Sequence, residues 1–202
     1  AYRAYKACLR GQLSSNVRLH ETHMTELVLS EYQDTWPRQF LLVAEQLRAS
    51  VPVPGAVLEH IGSTSVPGLC AKPVLDVLLG VSSLAELEEF FPALGSAGFV
   101  YRPEYEVAIP DRRYFVRPAG QTARVHLHVV LLGGMLWQQH LFFRNALREE
   151  PLLREQYATI KRGLAVAHAG DKAAYTEAKA PFIRQVLASN PARATSALRS
   201  AA

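Results

Sequence analysis

Asp76 is a lone carboxylate in an apolar run, Val74-Leu75-Asp76-Val77-Leu78-Leu79. A charge in such a run needs a compensating partner, because stripping its water is costly. A hard, oxygen-seeking cation such as Mg²⁺ is one partner. Just upstream, Glu59-His60-Ile61 leads into Gly62-Ser63-Thr64-Ser65-Val66-Pro67-Gly68, and Lys72 follows. Gly62 lets a ligand approach the backbone. Ser63, Thr64 and Ser65 bring hydroxyl and amide donors suited to phosphate oxygens, and Lys72 adds a flexible positive charge. Together these residues can seat a phosphate at the end of one strand and a metal ion on the next. The competing reading is a plain turn from Gly62 to Gly68 with Asp76 paired to Lys72. The block is not a Walker loop, since Lys72 lacks the required preceding Gly and following Ser or Thr. It is not a nucleophile elbow, since G-x-S-x-G is absent.

A second cluster lies in Arg124-Val125-His126-Leu127-His128-Val129. Alternation puts Arg124, His126, His128 and Val130 on one face of a strand. Two imidazoles on one face can bind a metal, relay a proton or contact phosphate. Alternatively, one is a hydrogen-bonded core histidine and the other meets solvent. A third alternating histidine, as in a histidine-triad hydrolase, is replaced by Val130. Arginines such as Arg112, Arg113, Arg144 and Arg148 suit phosphate because a guanidinium donates in a fork, or else they form a solvated charged face. Glu59 and Glu106 are further carboxylates for a metal, or else partners in surface ion pairs.

Elements that must position these groups are readable around them. Asp34 is expected to cap a helix carrying Trp36, Phe40, Val43, Ala44 and Leu47 at helical spacing. The run from Val51 to Gly55 breaks it. Strands are expected over Val57 to Ile61 and Val74 to Val81, the second central and covered on both faces. Ser83-Leu84-Ala85-Glu86 reads as a capping box opening a helix that Gly95 or Gly98 ends. Strands follow over Phe99 to Glu106, Arg113 to Arg117 and Arg124 to Leu132. Three helices close the chain, on the stripes Leu136–Leu147, Leu153–Leu164 and, capped by Asp171, Tyr175–Val186. The fold class is therefore α/β, of α+β type, with a mixed sheet.

The chain has 202 residues, 49% hydrophobic and 20% charged, which suits one globular domain able to bury its own core. A net charge of +4 with dispersed basic residues gives no strong nucleic-acid signal and is compatible with an anionic small ligand. Cys8 and Cys70 make neither a disulfide framework nor a metal spacing, so a reducing, cytoplasmic setting is expected. No apolar run reaches the ~18 residues of a membrane span. Residues 1–24 lack periodicity. Either Met24 is the natural start, preceded by vector-derived or longer-frame residues, or a helix forms around Tyr2 to Leu9. The domain is placed at 25–189, with a flexible tail over 190–202.

The block from His60 to Asp76 resembles the signature of the GrpB family. The resemblance extends through YQDTWPRQF (Tyr32 to Phe40), Pro110 to Phe115, Val125 to Val130, Phe142 to Arg148 and the Tyr157/Lys161 and Tyr175/Lys179 pairs. That family is similar to the polymerase-β-like nucleotidyltransferases, and a related domain is fused to some dephospho-CoA kinases. The resemblance implies a nucleotidyltransferase mixed sheet with flanking helices and a C-terminal helical bundle. It implies a Gly62-Ser63 phosphate motif and Asp76 as the first metal carboxylate; from its own place on a neighbouring strand, His128 is expected as a further metal ligand. The second carboxylate position holds Leu78, and the third falls on the histidine strand. The expected activity is binding of a nucleotide or other phosphate-containing molecule, with Mg²⁺-dependent nucleotidyl transfer by Asp76, His126 and His128. Gly62, Ser63, Thr64, Ser65, Lys72, Arg113 and Arg144 would hold the substrate. The alternatives are a non-catalytic nucleotide- or CoA-binding module, and a metal-dependent hydrolase using His126 and His128.

Overall fold

The computed structural model describes residues 28–190. The expectations for residues 1–24, Cys8 and most of the tail lie outside them. Five strands form one mixed sheet in the order β1-β2-β5-β4-β3. They are β1 (Val57–Ile61), β2 (Val74–Val81), β3 (Val100–Tyr101), β4 (Arg112–Arg117) and β5 (Arg124–Leu131). Strands β2 and β5 run parallel and the other pairs antiparallel. The long excursion between β2 and β5 supplies the crossover that a parallel pair requires.

One face of the sheet carries Leu75, Val77, Leu79, Val125, Leu127, Val129 and Phe115. Helix α1 (Thr35–Ser50) packs here with Trp36, Val43 and Leu47, beside Leu87, Phe91 and Leu94 of the short helices α2 (Leu84–Leu87) and α3 (Phe91–Ser96). This is the main core. The opposite face carries Asp76 and Leu78 of β2, His126, His128 and Val130 of β5, and Ile61 of β1, held in one row by the pairing register. Helix α4 (Met135–Glu149) covers part of that face, where Trp137 meets Ile61, Leu78 and Val130. Gly80 permits this approach, because a Cβ there would lie 2.7 Å from the Trp137 ring. The remaining helices are α5 (Pro151–Ala167), α6 (Lys172–Ala178) and α7 (Ala180–Ala188). They gather with α4 around the segment after Gly62, where Val66, Leu69 and Cys70 pack with Leu147, Tyr157 and Phe182.

This is the mixed sheet, with flanking helices and a helical C-terminal end, that the sequence implied. Five details differ. Asp34 makes no cap, because its own backbone is already helical and its side chain accepts no amide. The helix after Ser83 is split into α2, a 3-10 turn and α3, with Pro92 in the first turn of α3. Ser83 accepts from the Glu86 amide, but the Glu86 carboxylate takes a bond from Ser82 instead of closing the capping box. The strand expected from Phe99 to Glu106 stops at Tyr101, since Pro103 has no N–H to donate to a ladder and opens a 3-10 turn. The last expected helix is two, α6 and α7, divided at Lys179 with Pro181 in the first turn of α7. No described helix is long and apolar enough to cross a membrane.

Candidate functional site

Asp76 pairs in register with Ile61 on one side and His126 on the other, so its side chain rises from the α4-facing side at the end of β2. Its Oδ1 is 3.5 Å from His126 Nδ1 and 3.4 Å from His128 Nε2. The outer nitrogens of both rings face arginines. Arg124 Nε donates to His126 Nε2 at 3.3 Å, and Arg112 lies 3.5 Å from His128 Nδ1. With an arginine donor on the far side, each ring accepts there and turns its N–H toward Asp76. Burial alone would raise the Asp76 carboxyl, but these imidazoles outweigh it and hold the group well below the usual carboxylate range. His128 itself is pushed down by burial, against the pull of Asp76. Asp76 is thus an ionised carboxylate between the two rings, with 28% of its side chain still exposed.

The other carboxylate oxygen faces the turn. Gly62 has φ +68°, and a Cβ there would stand 2.2 Å from Asp76 Oδ2. The backbone at Gly62 and the carboxylate therefore meet directly. Within the turn the hydroxyls have separate tasks. Thr64 is buried, donates to the Val74 carbonyl at 3.0 Å and meets His60 Nε2 at 3.1 Å. Ser65, also buried, donates to the Gly62 carbonyl at 2.6 Å. Both side chains brace the turn from within. Ser63 remains partly exposed, and its hydroxyl is near enough to the Tyr157 phenol to act on it electrostatically. Arg148 clamps the far side of the turn through two bonds to the Ser65 carbonyl, at 2.9 and 2.7 Å. His60 stacks on Phe40 at 4.8 Å, and burial drives it down to about 4. It is a neutral structural donor.

The expected arginines go elsewhere. Arg144 is buried and bonds Glu59 at 2.5 Å and the His60 carbonyl at 3.1 Å. This pairing also occupies Glu59, the carboxylate considered as a further metal ligand. Arg113 lies on the opposite side of β4 from Tyr114 and contacts Glu88 and Glu106 at 3.5 and 3.7 Å. Its neighbour Arg112 reaches the site instead. Leu78, at the second carboxylate position, is fully buried against apolar neighbours. Lys72 does not pair with Asp76; its ammonium lies 4.2 Å from the centre of the Tyr175 ring.

Among the described residues, no group of three or more His, Cys, Asp and Glu is placed to hold a metal ion. His128 has one nitrogen 3.4 Å from Asp76 Oδ1 and the other 3.5 Å from Arg112. One carboxylate fits Mg²⁺ only when the ligand brings phosphate oxygens and water completes the shell. Sequence reading preferred Arg113 and Arg144 to Arg112 and Arg148, and gave no site role to His60, Lys161 or Lys179. The last two stand one helical turn after Tyr157 and Tyr175, and that spacing was the available signal.

Comparison with known proteins agrees with this geometry. The family model described as GrpB protein matches residues 26–189. The UPF0157 protein YqkA of Bacillus subtilis is 31% identical over 175 residues, covering 87% of this chain and 50% of that protein. A dephospho-CoA kinase of Mycolicibacterium paratuberculosis is 30% identical over 172 residues, 74% of this chain and 42% of that enzyme. The chain thus spans half or less of the length of these two relatives. The crystal structure of the conserved protein GrpB from Enterococcus faecalis superposes with a TM-score of 0.70 at 33% identity, over 79% of this chain and 94% of that one. Signature block, sheet and helical end all fall inside the matched span, and the chain belongs to the GrpB family.

Proposed function

We propose that this protein binds a nucleotide or related phosphate-containing molecule at the Gly62-Ser63 turn, with a divalent cation such as Mg²⁺ shared between Asp76 and the ligand's phosphates. The observation that carries this reading is the direct meeting of Asp76 Oδ2 with the Gly62 backbone. An anion seated at the turn and a cation on the carboxylate would be immediate neighbours. Asp76 is kept ionised for that task by His126 and His128, which act as positioning residues. Bound there, the cation would neutralise phosphate charge and polarise a phosphoryl oxygen.

Nucleotidyl transfer is the enzymatic form of this reading. Two-metal phosphoryl transfer calls for several oxygen ligands. Leu78 and the Arg144-bound Glu59 leave Asp76 as the carboxylate at hand. That scarcity favours a second reading, a non-catalytic nucleotide- or CoA-binding module. The similarity to part of a dephospho-CoA kinase supports it.

Thermal melts with ATP, UTP, CoA and dephospho-CoA, each with and without Mg²⁺, test both, since a bound ligand raises the melting temperature by mass action. A magnesium-dependent shift that Asp76→Asn abolishes, with pyrophosphate release, supports transfer. A shift indifferent to metal and to Asp76→Asn supports the module. No shift with any of them sinks both.

A further inference from the structure

We propose that Lys72, Lys161 and Lys179, gathered on Tyr157 and Tyr175, form a seat for a di- or triphosphate chain that continues from the Gly62-Ser63 turn. It deepens the nucleotide-binding reading and rests on it for the position of the first phosphate.

Four separate segments deliver these groups. Lys72 comes from the loop before β2, Lys161 from α5, Tyr175 from α6 and Lys179 from the break between α6 and α7. The ammoniums of Lys72 and Lys179 lie 4.2 and 4.4 Å from the centre of one ring, that of Tyr175. Lys161 is 2% exposed, donates to the Cys70 carbonyl and stands 5.4 Å from the Tyr157 ring centre. Tyr157 in turn packs with Val66, Leu69 and Cys70 of the segment after Gly62, so the cluster adjoins the turn.

Its charge is uncompensated. Among the described residues, none of these lysines forms an ion pair with a carboxylate. The carboxylate that acts on Lys161 and Lys179 is Asp76, and none acts on Lys72. Like charges brought together out of water repel and need an anion or must lose protons. Burial first, then neighbouring lysines, hold Lys72 down to about 8. Burial likewise holds Lys161 down to about 7. The other titratable groups facing the cluster are the Cys70 thiol, the Tyr157 and Tyr175 phenols, Asp76 and Lys172. Among these, only Asp76 opposes the positive charge as a carboxylate. A single phosphate would satisfy one end of the cluster. A chain of two or three brings enough oxygens to reach ammoniums on separate elements, each making a charge-assisted bond.

The chain could belong to a nucleoside triphosphate or to free polyphosphate. Isothermal titration of the 202-residue protein in EDTA, with inorganic tripolyphosphate, ATP and AMP as separate arms, distinguishes them. Tripolyphosphate and ATP are expected to bind without metal and AMP far more weakly. Tripolyphosphate alone would assign the seat to free polyphosphate. Lys72→Ala and Lys179→Ala, both at half-buried sites, should each weaken tripolyphosphate binding by about tenfold. Binding should also take up protons, read from heats in two buffers of different ionisation enthalpy. Lys161→Met is informative provided its melt stays cooperative; the other two variants carry the test regardless. Asp76→Asn should tighten metal-free tripolyphosphate binding, because it removes the carboxylate that acts on Lys161 and Lys179. Loss of the magnesium effect in Asp76→Asn is therefore separable from the seat. Unchanged affinity in both Lys72→Ala and Lys179→Ala, or no binding of tripolyphosphate or ATP by the wild type, overturns the seat.

Discussion

Replacing Gly62 with alanine tests the geometry on which the site depends. Gly62 has φ +68° and ψ −173°, a conformation that side chains resist. Forcing an alanine into it costs of order 1–3 kcal/mol. The new methyl group would also lie 2.2 Å from Asp76 Oδ2 and 2.9 Å from Asp76 Cβ and Cγ. The obstacle is a carboxylate on a central strand, so the side chain must swing from its two histidines. Those contacts are long, at 3.4 and 3.5 Å, so their loss is placed at the lower end for charged hydrogen bonds, roughly 1–2 kcal/mol together. The sum is about 2–5 kcal/mol. For a chain of this size that lowers the melting temperature by roughly 5–20 °C. Urea unfolding of the wild type, Gly62→Ala, Asp76→Ala and the double variant gives both the total and the coupling. The double variant should cost less than the two singles combined, by about 1 kcal/mol or more, because the carboxylate no longer obstructs the methyl. A cost below about 0.5 kcal/mol, or strict additivity, refutes the claim that the turn and Asp76 are in contact.

Other consequences follow from the same contacts. Asp76 has a folded pKa below its unfolded value, so its stabilisation is complete above about pH 4 and is lost as the pH falls further. Asp76→Asn should flatten that acid limb in urea melts. His60 titrates at about 4 when folded against 6.5 when free, so the unfolded chain takes up its proton first. Stability should fall as pH drops from 6.5 toward 4, and His60→Gln should reduce the slope. Lys161 has the opposite consequence at high pH. The unfolded chain keeps its proton up to 10.5 while the folded one loses it near 7, so stability should rise with pH across that window. Lys161→Met should remove much of the rise. Finally, Glu59→Gln leaves the Arg144 guanidinium buried without its charged partner and should cost about 2 kcal/mol in the same assay.

Much of the fold was legible because strand alternation and helical stripes are local. The apolar run around Asp76 announced a covered central strand, and period-two spacing put His126 and His128 on one face, as found. The prolines at 92, 103 and 181 also carried the missed breaks, since a residue without an N–H ends a ladder or opens a helix. The chemistry around the turn was less legible. Thr64 and Ser65 have the same hydroxyls as Ser63, yet they point inward because the Val74 and Gly62 carbonyls needed donors. Arg144 is an ordinary helical arginine until folding brings Glu59 and the His60 carbonyl to it. The sequence by itself determined which residues share a face and where the chain must turn, because those follow from backbone geometry over a few positions. Only the tertiary structure decided which polar groups are spent on one another and which, like the lysines around Tyr175, lie against rings instead of carboxylates. Partner choice depends on segments far apart in the chain and on desolvation, and no local pattern encodes either.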